Sequence, residues 1–482
     1  MTTDPEGKLH PGAECLVDIQ SLETGGKGVG SLPATTVGRH YSVFVPRSAP
    51  GDQLRVKVTR VQRRYLEAQP LEILDAGPDR IDPVCPHWDE GCGGCSWQHL
   101  RYSAQLSAKA SEIRHNLAEI GGFENLAIEP IVAADEPWFY RNKMEFTFNA
   151  HHGLGLHVAG DWRRVVPVTD CRLESALSMQ IVADVRQFVD ERHLSSWNPD
   201  TSRGLLHELV IRHARGSGET MVGLVTSSEP FPEAQSLASV IARIDDSIVS
   251  VVHATRSRHE RASPMASIEV LAGRDVITEQ VGTLRFHIGL QTFFQTNTSQ
   301  AERMLRMVET AVKAQGQDGT GPNLILDVFC GVGFFTLGLA KHARTVVGIE
   351  LLESSINTAR KNAELNQIDN VLFYSGDARR TIPDILEQHG TPDIIVLDPP
   401  RSGAGGKVIR RLARAKPSRI VYVSCNPKTL ASDLKELKPF GYEINRVQPI
   451  DLFPQTYHVE TIVTLERRAD APASPKQRNS DA

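Results

Sequence analysis

At 482 residues, with 40% hydrophobic and 23% charged side chains, the chain has matter for real cores and room for about three domains of ~150 residues each. No apolar run reaches the ~18 residues of a membrane span, the first ten residues are polar with no signal pattern, and seven cysteines in so long a chain make no disulfide framework. A cytoplasmic protein off the membrane is expected. The net charge of −5 excludes nothing, because nucleic-acid binding follows local fields, and residues 55–64 hold Arg55, Lys57, Arg60, Arg63 and Arg64 without an acid.

Residues 10–73 alternate as strands do. Leu54, Val56 and Val58 point one way and Arg55, Lys57 and Thr59 the other. Gly25, Gly26, Gly28, Gly30 and Gly51 with Pro46 and Pro50 punctuate short strands, as a small barrel requires. A basic outer face suits RNA; a structural barrel with a solvated face is the plainer alternative.

Residues 74–290 form a second region. Its loop-like start holds Cys85, Cys92 and Cys95, three thiols crowded as metal or cluster ligands are. A fourth ligand is needed, and Cys171, after Thr169 and Asp170 in another loop, is the best placed. Spacing leaves iron–sulfur and zinc both open. Residues 101–120 carry Leu106, Ile113, Leu117 and Ile120 on one helical face, stopped by Gly121 and Gly122. Strands are predicted at Glu145 to Asn149, Leu206 to Arg212, Thr220 to Val225 and Ile248 to His253. The clusters Tyr140-Arg141-Asn142-Lys143 and Trp162-Arg163-Arg164 suit a polyanion, although each alone is more often a solvated face.

Residues 291–468 form the third region. From residue 324, strands at 324–329, 345–349, 371–374, 393–397 and 419–424 alternate with helical segments, the signature of a doubly wound parallel sheet. Gly331 and Gly333 open the turn after the first strand, and Glu350 closes the second, where a carboxylate can hold ribose hydroxyls. That implies a nucleoside cofactor. Thr336 stands where a hydride-transfer fingerprint would place its third glycine, which argues against a dinucleotide. Residues 469–482 read as a disordered tail.

The fourth strand ends in Asp398-Pro-Pro-Arg401 and the fifth in Ser424-Cys425-Asn426-Pro427, so a carboxylate and a thiol reach the cofactor crevice. A thiolate adding to carbon 6 of a uracil ring makes carbon 5 nucleophilic toward a sulfonium methyl. A base must then remove the carbon-5 proton. Glu460, opening the strand Ile462 to Leu465 with His458 just before it, is the candidate base.

Phe293-Phe-Gln295-Thr-Asn297, Asp327-Val-Phe329-Cys-Gly331-Val-Gly333, Asp398-Pro-Pro-Arg401, Ser424-Cys425-Asn426-Pro427 and Phe453-Pro454-x-Thr456-x-His458-x-Glu460 together resemble the RNA uracil-5 methyltransferase family. The first region resembles its TRAM domain and the cysteine set its iron–sulfur site, so the likeness spans about residues 10–468. The resemblance implies a Rossmann-like class I methyltransferase domain with an OB-like TRAM barrel and a central α+β domain. It implies S-adenosylmethionine as methyl donor, Cys425 as nucleophile and Glu460 as proton acceptor. Gln295, Phe329, Glu350 and Asp398 would line the donor site, and Phe293 would stack on a flipped target base. A [4Fe-4S] cluster would rest on Cys85, Cys92, Cys95 and Cys171. Two departures stand out: Phe334 occupies a cofactor-site position where the family commonly has asparagine, and the first cysteine gap is six residues, not five. The expected substrate is RNA, with 23S rRNA ahead of tRNA, and the expected state a monomer. The alternatives are an RNA cytosine-5 methyltransferase, disfavoured because its Pro-Cys is replaced by Asp398-Pro-Pro, and a non-catalytic RNA-binding protein, disfavoured by the intact Cys425 and Glu460.

Overall fold

Alternation of apolar and charged residues closes the first sheet of the computed structural model, which describes residues 9–32, 40–149, 153–256, 265–313 and 321–470. Strands β1 (Glu14–Leu22), β2 (Gly28–Leu32), β3 (Tyr41–Val45), β4 (Gln53–Val61) and β5 (Tyr65–Asp75) form a closed barrel in the order β1-β2-β3-β5-β4. In β4, Leu54, Val56 and Val58 are buried while Arg55, Lys57 and Thr59 face water, as the period of two predicts. Gly30 is obligatory where β2 crosses a bulge in β1: a Cβ there would stand 2.3 Å from Val17 Cγ1 and 2.5 Å from Asp18 O.

Spatial contacts divide the chain into two units, residues 1–113 with 453–458, and residues 114–452 with 459–482. Helix α1 (Tyr102–Glu119) begins in the first and ends in the second. Ile113 and Leu117 of its predicted stripe are buried, but Leu106 and Ile120 are only half-buried. Two polar residues, Gln105 and Lys109, are wholly buried instead. Periodicity misses them because their polar ends are satisfied: Gln105 Nε2 donates to Trp97 O (3.1 Å), Leu100 O (3.0 Å) and Gln455 Oε1 (2.9 Å), and Lys109 Nζ to Phe453 O (3.1 Å). Gln105 Oε1 also accepts from the Gln455 N–H (2.9 Å), so the helix fixes the segment 453–458 in the first unit.

In the second unit, β6 (Lys143–Phe148), β7 (Leu154–Val158), β8 (Asp161–Pro167), α2 (Ala176–Glu191), β9 (Leu206–Ala214), β10 (Glu219–Thr226), α3 (Ala234–Ile241), β11 (Ile248–Thr255) and β12 (Ser267–Gly273) build a sheet ordered β12-β11-β10-β9-β6-β7-β8. A hairpin, β13 (Ile277–Val281) and β14 (Leu284–Ile288), leads to α4 (Thr298–Lys313).

The last sheet comprises β15 (Leu324–Val328), β16 (Thr345–Glu350), β17 (Val371–Ser375), β18 (Ile394–Leu397), β19 (Arg419–Ser424), β20 (Tyr442–Ile450) and β21 (Glu460–Arg467). Helices α5 (Phe334–Leu339), α6 (Glu353–Leu365), α7 (Ala378–His389), α8 (Gly406–Arg414) and α9 (Pro427–Leu437) connect them. Its order is β17-β16-β15-β18-β19-β21-β20. The first five strands are parallel, with near-continuous apolar runs that suit a sheet covered on both faces. The sheet is not parallel throughout, because β20 and β21 form a hairpin and β21 runs antiparallel to β19. Of the tail expected at 469–482, residues 471–482 lie outside the described residues. Among the described residues, no helix is long and apolar enough to cross a membrane.

The first unit hangs on Asp52, whose side chain is wholly buried. It accepts from Ala49 N (2.6 Å), Gly77 N (2.9 Å), Arg80 Nε (2.9 Å) and Arg80 Nη2 (2.5 Å). Burial alone would raise its pKa, but the Arg80 and backbone hydrogen bonds prevail and hold it below the usual value. Asp52→Ala strands a guanidinium and two N–H groups, so denaturant unfolding should show a loss of about 3–5 kcal/mol. Because the folded pKa is depressed, the aspartate's own contribution is complete above the unfolded value of about 4 and is lost as pH falls through the lower folded value.

Candidate active site

The site lies where the parallel strands end. The turn after β15 puts Phe329 at φ +69°, Gly331 at +56° and Gly333 at +88°. A positive φ is uncommon for any non-glycine residue and an outlier for a ring as large as phenylalanine. Here it is held by Phe329 N and Cys330 N, which both donate to Ile349 O at 2.9 Å. Glu350, ending β16, accepts from Gly331 N (3.2 Å), Leu351 N (2.7 Å) and Leu352 N (3.0 Å), which fixes its carboxylate beside the turn.

Phe329 and Ile349–Leu351 line one side of a cavity of about 350 Å³; Gly376–Arg379, after β17, and Gly403–Val408, after β18, line the rest. That volume suits a small-molecule ligand. The sequence reading missed Asp377, although its pattern is legible: it follows Ser375-Gly376 at a strand end and caps α7, accepting from Arg379 N. The glycine loop 403–406 was also missed. It is pinned from α9 and β19, since Asp433 Oδ2 accepts from Ala404 N (2.8 Å), Gly405 N (3.3 Å) and Tyr422 Oη (2.7 Å).

Gln295 Nε2 donates to Asp398 Oδ2 at 3.4 Å. Like Gln295 and Asp398, Phe334 is not among the residues that line the cavity: it is buried against Phe286, Phe294 and Phe335, at ring separations of 5.8, 5.6 and 5.0 Å. Its ring thereby anchors the segment that carries Gln295. Phe293, on that segment, is 73% exposed. Asp327, wholly buried, accepts from Thr336 Oγ1 at 2.5 Å, and its Oδ1 has no partner among the described residues. Burial raises Asp327 to about 7, and burial with the Asp327 charge raises Asp398 to about 7.

The antiparallel β21 brings the catalytic candidates together. Ser424 pairs with Thr461, so Cys425 at the end of β19 and Glu460 at the start of β21 are neighbours. Glu460 is 4% exposed and its Oε2 has no partner among the described residues. Burial, then the Asp398 charge, raise its pKa well above the usual carboxylate value, while Arg401 opposes them. Cys425 is half-buried, and its thiol is pushed up to about 12 by burial and by Glu460 and Asp398, again opposed by Arg401. Asn426 Nδ2 (2.9 Å) and Thr429 Oγ1 (3.3 Å) donate to Arg401 O and tie that cation's backbone to the residues after the thiol. A thiol, a buried carboxylate and one guanidinium thus act on one another where β19 ends and β21 begins.

The comparisons with known proteins decide the class. Residues 8–71 match the TRAM domain and residues 271–468 the tRNA (Uracil-5-)-methyltransferase family. An uncharacterized RNA methyltransferase of Chlorobaculum tepidum is 35% identical over 87% of this chain and 90% of its own length. Another from Gloeobacter violaceus is 36% identical over 96% of this chain and 98% of its own. The crystal structure of Pyrococcus abyssi tRNA (uracil-54, C5)-methyltransferase with S-adenosyl-L-homocysteine superposes at a TM-score of 0.73 with 29% identity, covering 94% of this chain and all of that one. The chain belongs to the RNA uracil-5 methyltransferase family. It is an S-adenosylmethionine-dependent RNA methyltransferase, and its closed five-stranded barrel is the TRAM domain.

The enzyme's cysteine loop is ordered by its own hydrogen bonds. Trp88 N donates to Cys85 O (3.1 Å), Cys92 N to His87 O (3.2 Å) and Gln98 Oε1 accepts from Cys85 N (3.2 Å). Burial raises the Cys92 pKa, Cys85 adds to the rise, and Arg47 opposes it. The loop belongs to the first unit and Cys171, buried, to the second. Among the described residues, no group of three or more His, Cys, Asp or Glu side chains stands in metal-holding geometry. The loop's thiols are donors of the kind an iron–sulfur cluster takes.

The pKa directions at Cys425 predict its reactivity. Alkylation by iodoacetamide should be slow at pH 7 and should climb with pH toward 12, since only the thiolate reacts. Glu460→Gln removes a charge that opposes ionisation, so the alkylation midpoint should move to lower pH. A wild-type midpoint near 8.5 would contradict the geometry.

Proposed function

We propose that the enzyme methylates carbon 5 of a uridine in structured RNA through a transient bond between Cys425 and carbon 6. The observation that carries this reading is the β19–β21 register, which sets Cys425 beside Glu460 with Asp398 and Arg401 acting on both. S-adenosylmethionine, when bound, supplies an electrophilic methyl group. Phe329, Glu350 and the loop 403–406 would hold the donor, together with Gln295 and Asp398. The residues fit such a group: two buried carboxylates with raised pKa values, one carrying an unpaired oxygen, are relieved by a nearby positive charge.

Cys425, its proton lost to solvent, adds as the thiolate to carbon 6. The electron pair displaced from the carbon 5–carbon 6 double bond makes carbon 5 the nucleophile that takes the methyl, and the pair of the broken sulfur–methyl bond stays on the donor's sulfur, which leaves as a neutral thioether. Arg401 is the cation that favours the thiolate. Glu460 accepts the carbon-5 proton on its carboxylate, the carbon 5–carbon 6 double bond re-forms, and the Cys425 sulfur leaves. The extruded base reaches the thiol past Phe293, on whose exposed ring it stacks.

Ribosomal RNA, 23S rRNA in particular, is the proposed substrate, supported by the pairing of a TRAM barrel with a cysteine loop. A tRNA is the second reading, favoured by the family description and the name of the Pyrococcus relative. Mapping 5-methyluridine in both RNA classes from cells lacking the enzyme separates the two. We further propose that Cys85, Cys92, Cys95 and Cys171 hold a [4Fe-4S] cluster, supported by their spacing. Anaerobically purified protein should contain about four iron and four sulfide per chain, and Cys92→Ala should lose them; zinc without iron would sink this. The division into residues 10–73, 74–290 and 291–468, in a monomeric cytoplasmic enzyme, completes the reading.

Cys425→Ala should lower methyl transfer by at least about 10³-fold. Glu460→Gln should slow turnover by about 10²- to 10⁴-fold while accumulating a covalent RNA–protein complex stable to denaturing gels, since elimination needs the base. An equal, adduct-free loss in both variants would refute the division of roles.

A further inference from the structure

One end of the central sheet presents groups that the chemistry at Cys425 leaves unused. Lys143, at the start of β6, pairs with Arg212 near the end of β9, and the β7–β8 turn at Val158 and Asp161 lies at the same end. β6 and β8 are separated by one strand, about 10 Å. Here Phe139 is 43% and Trp162 46% exposed.

Phe139 also has φ +51°, a costly conformation for a bulky side chain. Three hydrogen bonds hold the segment there. Phe139 N donates to Arg172 O (2.8 Å), and Arg215 Nη2 donates to Phe139 O (2.6 Å) and Arg141 O (2.8 Å). Strain is thus maintained to keep an apolar ring in water, which core packing does not call for. Beside it, the Arg163 guanidinium lies 4.7 Å over the Trp162 ring.

The cations are available as well. Arg163 and Arg172 have side chains 62% and 41% exposed, and their partners Asp200 (3.6 Å) and Asp170 (2.9 Å) are equally solvated. Such pairs hold little free energy, so phosphate can replace them. The end is continuous with the target-base loop, because Arg212 Nη1 donates to Gly289 O (2.7 Å), Leu290 O (3.2 Å) and Thr292 O (2.6 Å), next to Phe293.

We propose that Phe139 and Trp162, with Arg163 and Arg172, form a stacking surface for unpaired nucleotides of the substrate RNA outside the target uridine. Exposed rings interleaved with guanidinium groups suit bases and backbone phosphates together. The inference rests on the RNA-methylation reading above.

The test uses the full-length enzyme and a fluorescein-labelled, mixed-sequence, single-stranded 20-nucleotide RNA. Trp162→Ala, Arg163→Glu and Phe139→Gly should each weaken binding, the two ring variants by about 5- to 100-fold. They should raise KM for substrate RNA while leaving KM for S-adenosylmethionine and the thermal midpoint unchanged. Phe139→Gly is the sharpest case: glycine adopts φ +51° freely, so stability should hold or rise while affinity falls. Wild-type affinity in the folded variants overturns the proposal, and so does a loss of binding that only tracks a fall in thermal midpoint. Cys425→Ala should bind the 20-mer normally, so a wrong assignment of the methylated position leaves this result standing, and the converse also holds.

Discussion

The pairing of Ser424 with Thr461 is the constraint on which the site depends. A parallel sheet delivers strand ends to one edge, and β15, β16, β18 and β19 bring the glycine turn, Glu350, Asp398 and Cys425 there. A further parallel strand would have begun at the opposite edge. Because β21 runs against β19, its first residue, Glu460, arrives where β19 finishes. Thiol and carboxylate, 35 positions apart in sequence, become neighbours through one reversal of strand direction.

That meeting carries an electrostatic cost. Asp327, Asp398 and Glu460 share a poorly solvated region in which each raises another's pKa or is raised by one, and Cys425 is pushed up with them. Arg401 is the cation opposing this at both Cys425 and Glu460. Burial and these charges therefore favour the protonated thiol at Cys425. A thiol reacts through a lowered pKa or a nearby base; Glu460 lies beside Cys425, and its charge opposes ionisation of the thiol. Proton transfer and charge neutralisation by bound ligands are what such a site requires before the sulfur can react.

Much of this was legible before any coordinates. Strands at Leu324, Thr345, Val371, Ile394 and Arg419 announce themselves as apolar runs, because buried parallel strands tolerate little else. The motifs around Cys425 and Glu460 were equally readable. What failed to show had physical reasons. Gln105 and Lys109 are buried polar residues whose partners, Gln455 and Phe453, lie about 350 residues away, and no local period encodes them. Phe334 looks like a cofactor residue by position, yet its ring belongs to the cluster of Phe286, Phe294 and Phe335, contacts that only tertiary structure reveals. β20 and the antiparallel turn of the sheet were missed because strand direction leaves no trace in an apolar pattern.

Asp433 has a consequence of its own. It sits on the helix that starts two residues after the thiol, yet its carboxylate fixes the glycine loop bordering the nucleoside cavity, while Asn426 and Thr429 of the same stretch hold the backbone of Arg401. The glycine loop and the backbone beside the thiol therefore share a single brace. Substitutions in this loop cannot drift alone, and compensating changes should surface along α9, at Asp433 first.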